Sequence, residues 1–148
     1  MVKRKRTEDS SVKAPSVPVN AENWSESSKR SQIYDCHGGA YKDKYYRCQR
    51  CQRLAVFSAE AQRQSFEVRK DYVWQGRTLC EECFLVRVQM EREVKELQRR
   101  WKEERAIVAK DRTALVRWLQ LLEELPLYGA KENHGQLRML DKLLAIVK

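Results

Sequence analysis

The sequence contains little glycine and proline, five and three residues respectively in 148, and it has no long apolar run. Nothing in it approaches the roughly 18 consecutive apolar residues that a membrane-spanning helix needs, so such a helix is not expected. The basic opening Met1-Val-Lys-Arg-Lys-Arg6 leads into polar residues and not into an apolar stretch, so we expect no secretory signal. These absences predict an intracellular, cytoplasmic protein, or a nuclear one if the host is eukaryotic and Lys3–Arg6 acts as an import signal.

The motifs of several enzyme classes are also missing. There is no glycine-rich phosphate loop, no His-Glu-x-x-His motif and no nucleophile elbow, and the chain has two histidines. We therefore expect a binding protein and no enzyme. A remote alternative is catalysis by the adjacent Cys36 and His37, which precede the paired glycines Gly38 and Gly39. Adjacent side chains rarely aim at one point, so a surface thiol beside a loop histidine is the simpler interpretation.

Basic side chains outnumber acidic ones, 30 to 21, which gives a net charge of +9. Residues 31–84 hold nine basic and seven acidic side chains, and four thiolates around one Zn²⁺ would add about −2 to that segment. The positive excess therefore belongs to residues 1–30 and 85–148. Such an excess suits a polyanionic partner, while a solvated surface is the alternative, and both interpretations stay open.

Composition divides the chain into three segments. Residues 1–30 are rich in Lys, Ser, Glu and Pro, which predicts a disordered basic and polar tail. Residues 31–84 hold the cysteine pairs and short apolar runs typical of strands, and residues 85–148 are dense in helix-forming residues. The predicted fold is small α+β: a four-cysteine zinc ribbon with short β-hairpins, followed by a long helix and a short α-helical hairpin.

The helical part shows three apolar patterns. From Glu81 to Lys110 there is no Gly or Pro, which predicts one long helix whose stripe is interrupted at Glu104. Asp111 is placed to cap a second helix, and Pro126 to end it. A third, short helix follows the loop that contains Gly129. The apolar positions in the three patterns are Met90, Val94, Leu97, Trp101 and Val108, then Leu115, Val116, Trp118, Leu119, Leu121, Leu122 and Leu125, then Leu137, Leu140, Leu143, Leu144 and Val147.

Four of the five cysteines form two Cys-x-x-Cys pairs, Cys48 with Cys51 and Cys80 with Cys83. The two-residue gap lets the chain turn so that both sulfurs of a pair converge on one ion about 2.3 Å away. Four reduced core cysteines or a redox motif are the alternatives. The pattern predicts one structural Zn²⁺, and a closed four-thiolate site leaves no coordination position for a catalytic water.

The residues around these pairs resemble a known family. Tyr46-Arg-Cys-Gln-Arg-Cys51 is followed by Val56-Phe-Ser-Ala-Glu-Ala-Gln62 and then by Phe66-Glu-Val68 before the second pair. This order is similar to the zinc-ribbon (zinc-constituting) domain family of small, mostly bacterial proteins. The likeness covers about a third of the chain, roughly Tyr41 to Phe84, and it lacks the paired aromatics associated with the stretch around Gln64 and Ser65. The resemblance implies a zinc-ribbon fold and no particular activity.

Two groups of basic residues are candidates for nucleic-acid contact. Arg47, Arg50 and Arg53 edge the first cysteine pair beside two tyrosines, as a phosphate- and base-contacting surface would require, and Lys3, Arg4, Lys5 and Arg6 form a basic arm. A solvated rim is the alternative for the arginines, and a solubilising tail for the arm.

Two functions are therefore predicted ahead of catalysis. The first is nucleic-acid binding by a zinc module, supported by the basic residues. The second is a protein–protein interaction adaptor that uses the C-terminal helices, supported by their mixed charge and leucine-rich faces. No membrane partner and no small-molecule substrate are expected.

Overall fold

The structure, a computed structural model, describes residues 15–148, so the predicted basic arm Lys3–Arg6 lies outside the described residues. The chain divides into two compact units. Within the described part, the first unit comprises residues 15–45 and 56–76. The second comprises Tyr46–Ala55 and Arg77–Lys148, so it contains both cysteine pairs together with the C-terminal helices.

The first unit is built from short elements around an aromatic core. Strand β1 (Ser16–Pro18) pairs antiparallel with β2 (Ala40–Lys42), with Val17 opposite Tyr41. Helices α1 (Glu26–Lys29) and α2 (Gln32–Cys36) lie between them in sequence, and α3 (Ala59–Arg63) continues into a π-helical turn, Gln64–Val68. The buried side chains at its centre are Trp24, Tyr41, Phe57, Phe66 and Val73.

The prediction of disorder for residues 1–30 is wrong for residues 15–30. Trp24 is 3% exposed, and its indole N–H donates to the Tyr41 hydroxyl at 2.7 Å. The Ser25 hydroxyl caps α1 by accepting from the Ser28 amide, and the buried Ser28 hydroxyl accepts from the Val73 amide at 3.1 Å. The buried Trp24 and these hydrogen bonds fix the segment to the aromatic core of the first unit.

A second two-stranded sheet carries the first cysteine pair. Strand β3 (Lys44–Arg47) pairs with β4 (Leu54–Phe57), and the pair forms a small antiparallel hairpin. These bounds agree with the short strands and β-hairpins predicted for residues 31–84. Ser58 then caps α3, accepting from the Ala61 amide at 3.1 Å.

The long helix is shorter than predicted. Helix α4 runs from Glu81 to Glu103, Glu104 has φ −129° and ψ 41°, and a separate turn, α5 (Arg105–Val108), follows. The break falls at the residue where the apolar stripe is interrupted. Val108, at the end of the turn that follows the break, is fully buried.

The remaining helices begin and end close to the predicted cap and break residues. Helix α6 (Arg112–Glu124) is capped by Asp111, whose carboxylate accepts from the Ala114 amide at 3.0 Å. A 3-10 turn, Leu125–Tyr128, ends at Gly129 in the left-handed conformation, and α7 (His134–Ile146) completes the chain. Helix α6 packs against both α4 and α7. The core between them holds Trp118, Leu115, Leu121 and Leu140, all at most 1% exposed.

At this level the predicted class is confirmed: a small α+β chain with two small antiparallel sheets, a long helix and C-terminal helices. The zinc-ribbon fold stays a prediction. The same holds for segments 31–84 and 85–148 as separately folding domains. The grouping of the cysteine pairs with the helices makes that prediction testable by metal removal.

Candidate metal centre

The four predicted ligands come together in the second unit. The sulfurs of Cys48, Cys51, Cys80 and Cys83 all lie within 4.8 Å of one another. Cys48 is fully buried, Cys83 is 9% exposed, and the other two are half-buried. Within residues 15–148 this is the one group of three or more metal-ligand side chains at such distances.

The first pair lies in the turn that joins β3 to β4. The Cys48 amide donates to the Arg53 carbonyl at 2.9 Å, and the Gln52 amide donates to the Cys48 carbonyl at 2.9 Å. Gln52 completes this turn with φ +63°, in the left-handed region that side chains other than glycine rarely occupy. The turn folds the chain back on itself and brings both thiols of the first pair to the same side.

The second pair lies at the beginning of α4. Cys80 is the N-cap of the helix and Cys83 lies in its first turn, so both thiols are close to the positive end of the helix dipole. Two hydrogen bonds join the approach to α4 with the first pair. The Gln49 amide donates to the Thr78 carbonyl at 2.7 Å, and the Tyr46 hydroxyl donates to the Leu79 carbonyl at 2.8 Å.

The thiols differ in acidity. Burial disfavours the Cys48 thiolate, but hydrogen bonds from the backbone of Cys51, Cys80 and Arg50 outweigh it and lower the Cys48 pKa to about 6. The side chain and backbone of Arg53 lower the pKa of Cys51. Burial and the neighbouring cysteines raise the pKa of Cys83 to about 12.

The donor set fits a tetrahedral zinc ion. Zn–S bonds of about 2.3 Å in a regular tetrahedron place the sulfurs about 3.8 Å apart. The sulfurs of Cys51 and Cys80 are 3.8 Å apart, and the rest stay within 4.8 Å. A divalent cation among them would compensate the thiolate charges, and zinc is the metal that four thiolates at this spacing ordinarily hold. The cluster is therefore a candidate structural metal site.

The three arginines at the first pair all have intramolecular contacts. Arg47 donates to the Gln52 carbonyl at 2.8 Å. The guanidinium carbon of Arg50 lies 5.2 Å from the centroid of the Tyr128 ring. Arg53 donates to the Cys51 sulfur at 3.5 Å and forms an ion pair with Glu82. Two of the predicted nucleic-acid contacts, Arg50 and Arg53, therefore make side-chain contacts within the second unit.

Cys36 and His37 have local partners in the first unit. The exposed Cys36 thiol donates to the Gln32 carbonyl at 3.0 Å, one helical turn back. Nδ1 of His37 accepts from the Gly39 amide at 3.0 Å, and the imidazole packs edge-on against Trp24 with centroids 5.5 Å apart. These contacts stabilise the turn between α2 and β2. The catalytic alternative gains no geometric support from them.

Sequence reasoning missed the residues that surround the metal ligands. Tyr128 is far from the cysteines in the chain, and no local pattern marks it as a partner for Arg50. Arg53 was identified, but as a phosphate contact and not as a hydrogen-bond donor to Cys51. Its position two residues after a ligand is a usable signal, because groups that donate to metal ligands often lie beside them.

Comparison with protein-family models, with curated proteins and with solved structures finds no match to this chain. The family resemblance of the cysteine segment therefore rests on its residues alone. Among residues 15–148, no helix is long and apolar enough to cross a membrane.

Proposed function

We propose that the chain is a protein-interaction adaptor in which a structural zinc site stabilises the fold of a helical binding unit. The observation that carries this proposal is a shared core. Cys48 and Cys83 belong to the same cluster of buried side chains as Met90, Trp118 and Leu140 of the helices. Four thiolates complete the tetrahedral coordination of a zinc ion, so in this proposal the metal has a structural role and the chain acts by binding.

Apolar side chains at the metal site supply a candidate interaction surface. Phe84, Leu85 and Val86 follow the last ligand on α4 and are 53%, 59% and 45% exposed. Leu54, at the start of β4, is 67% exposed. Single exposed apolar residues are common, whereas a contiguous apolar patch marks an interaction site. In this proposal a partner protein covers the exposed apolar side chains beside the metal site.

Nucleic-acid binding is the second candidate, and the net charge of +9 is the observation in its favour. The contacts of Arg50 and Arg53 weaken it, since both guanidinium groups already have partners. Arg47 also has a partner, the Gln52 carbonyl, so in this case most phosphate contacts would fall to the Lys3–Arg6 arm.

Affinity purification with and without nuclease distinguishes the two functions. We expect protein partners that survive nuclease and a high-salt wash, and that are lost when Leu85 is changed to Glu. Glu96→Lys, which alters a charged side chain of α4 outside the apolar run, is the matched surface control. Recovery of nuclease-sensitive material alone would overturn the adaptor proposal. A binding titration in which log affinity falls linearly with log salt would then support nucleic acid.

A further inference from the structure

The second unit contains an open groove that neither the metal site nor the apolar run explains. It encloses about 400 Å³ between the end of α4, the turn α5 and one face of α7. That volume lies within the roughly 300–1,000 Å³ range of ordinary binding sites. The side chains that line this basic groove are Trp101, Arg105, Arg138, Met139, Lys142 and Leu143.

The charge of the basic groove is uncompensated. Arg105, Arg138 and Lys142 are exposed, and within residues 15–148 none of them forms an ion pair. The acidic residues that precede Arg105 are engaged elsewhere: Glu103 pairs with Arg99, and Glu104 with Arg100 at 3.9 Å. Three cations around one cavity attract an anionic occupant.

The floor of the groove favours apolar contact over base stacking. Arg105 already covers the Trp101 ring at 4.9 Å from its centroid, and Trp118 packs edge-on against the same ring at 6.2 Å. A nucleic-acid base would need a free aromatic face to stack on. Met139 and Leu143 are half-buried and offer an adaptable apolar surface instead.

We propose that the basic groove binds an acidic amphipathic segment of a partner protein. Carboxylates of that segment pair with Arg105, Arg138 and Lys142, while one or two apolar side chains lie against Met139 and Leu143. The occupant does not come from the N-terminal arm of this chain, since Lys3–Arg6 carries the same sign of charge as the groove. This inference rests on the adaptor function and adds the chemistry of the partner.

The test is a fluorescence-anisotropy titration of the zinc-loaded 148-residue chain with defined probes. The first probe is a labelled helical peptide with leucine on one face and glutamate on the other. Two further peptides serve as controls, one with lysine in place of glutamate and one with serine in place of leucine. The last probe is a single-stranded oligonucleotide with the same net charge as the first peptide. The groove variant carries Arg138→Glu and Lys142→Glu. Its matched control carries Arg92→Glu and Lys95→Glu, an equal charge change at exposed residues of α4 outside the groove.

We expect the glutamate–leucine peptide to bind wild type, and the groove variant to weaken that binding by at least about tenfold. The control variant is expected to change it by less than about threefold. Met139→Ser leaves all charges in place. We expect it to weaken binding of the glutamate–leucine peptide but not binding of the peptide with serine in place of leucine. Circular dichroism of each variant verifies that the helices are retained.

Three outcomes would overturn the proposal. Equal weakening by the groove and control variants would show attraction by net charge alone. Tighter, groove-dependent binding of the oligonucleotide would assign the groove to nucleic acid. Absence of binding by the glutamate–leucine peptide would leave the groove without this role. The affinity purification with wild type and Leu85→Glu is carried out on the same preparations. Nuclease-resistant partners that depend on Leu85 would support the adaptor function even if the peptide does not bind the groove, so the two proposals are tested separately.

Discussion

The guanidinium of Arg50 lies over the ring of Tyr128, and this contact joins the first cysteine pair to the 3-10 turn between α6 and α7. Two neighbouring contacts support it. The Tyr128 carbonyl accepts from Arg87 at 3.1 Å, and a Cβ at Gly129 would lie 3.2 Å from the Gln49 side-chain oxygen. The turn that holds two metal ligands is therefore packed directly on the helical region.

A double-mutant cycle measures this relationship. We expect Arg50→Ala and Tyr128→Leu to be non-additive by roughly 0.5–1 kcal/mol, the usual worth of an exposed cation–π pair. Thermal unfolding of the zinc-loaded protein supplies the free energies. Arg92→Ala with Tyr128→Leu is the additive control, because Arg92 is an exposed residue of α4 outside this contact. Additivity of the first pair would contradict an energetic role for the contact.

Removal of the metal tests the shared core. We predict one zinc per chain, and we expect a chelator or Cys80→Ser to reduce the helical circular dichroism as well as the order of the cysteine turns. The reason is that Cys48, Leu79 and Cys83 lie in one cluster with residues of α4, α6 and α7. Structural zinc contributes on the order of 10–16 kcal/mol in finger peptides, so the loss is large.

Cys36→Ser is the control for this experiment, since Cys36 lies outside the cluster. We expect it to change neither zinc content nor helical signal. If chelation leaves the helices intact, residues 31–84 and 85–148 fold separately, as the composition of the sequence suggests.

The features that sequence reasoning predicted are those with local causes. The four cysteines are recognisable because ligand spacing is fixed by the size of the ion. The Ser58 and Asp111 caps are recognisable because each side chain bonds an amide three residues ahead. The bounds of β4 follow from four apolar residues between two turns.

The features that it missed depend on partners far along the chain. Trp24 belongs to a segment whose composition indicates disorder, and its burial requires Tyr41 and His37. Two partners of the arginines are likewise distant in sequence, Tyr128 for Arg50 and Glu82 for Arg53, so the local pattern did not reveal these contacts. The interrupted apolar stripe indicates the helix break at Glu104. Helix propensity alone does not predict that the turn after the break buries Val108.

The helical core predicts a clear contrast between two leucines. Leu122 is 5% exposed, whereas Leu127 is 54% exposed in the following turn. We expect Leu122→Ala to lower the free energy of unfolding by roughly 2–5 kcal/mol through lost burial and a residual cavity. Leu127→Ala is expected to change it by less than about 0.5 kcal/mol. Similar effects in denaturant unfolding would mean that the packing of α6 differs from the one described.

The last prediction concerns alkaline pH and the first unit. The Tyr41 hydroxyl accepts from the Trp24 indole at 2.7 Å and donates to the Glu67 carboxylate at 3.0 Å. Burial, with the hydrogen bond to Glu67 adding to it, raises the pKa of Tyr41 from 10.0 to about 12. The folded state therefore holds the phenol proton more tightly than the unfolded state does. This contribution is complete below pH 10 and is lost as pH rises from 10 towards about 12.

A difference of this size corresponds to roughly 2–3 kcal/mol of stability in the first unit. A spectroscopic titration of tyrosinate should show a late step as the pH approaches about 12, together with a loss of tryptophan near-ultraviolet dichroism. Tyr41→Phe should remove that late step, whereas Tyr45→Phe, at a 70% exposed side chain, should leave it in place. If the late step survives in Tyr41→Phe, the proton belongs to another tyrosine and the Trp24–Tyr41–Glu67 chain does not control the alkaline limit of the first unit.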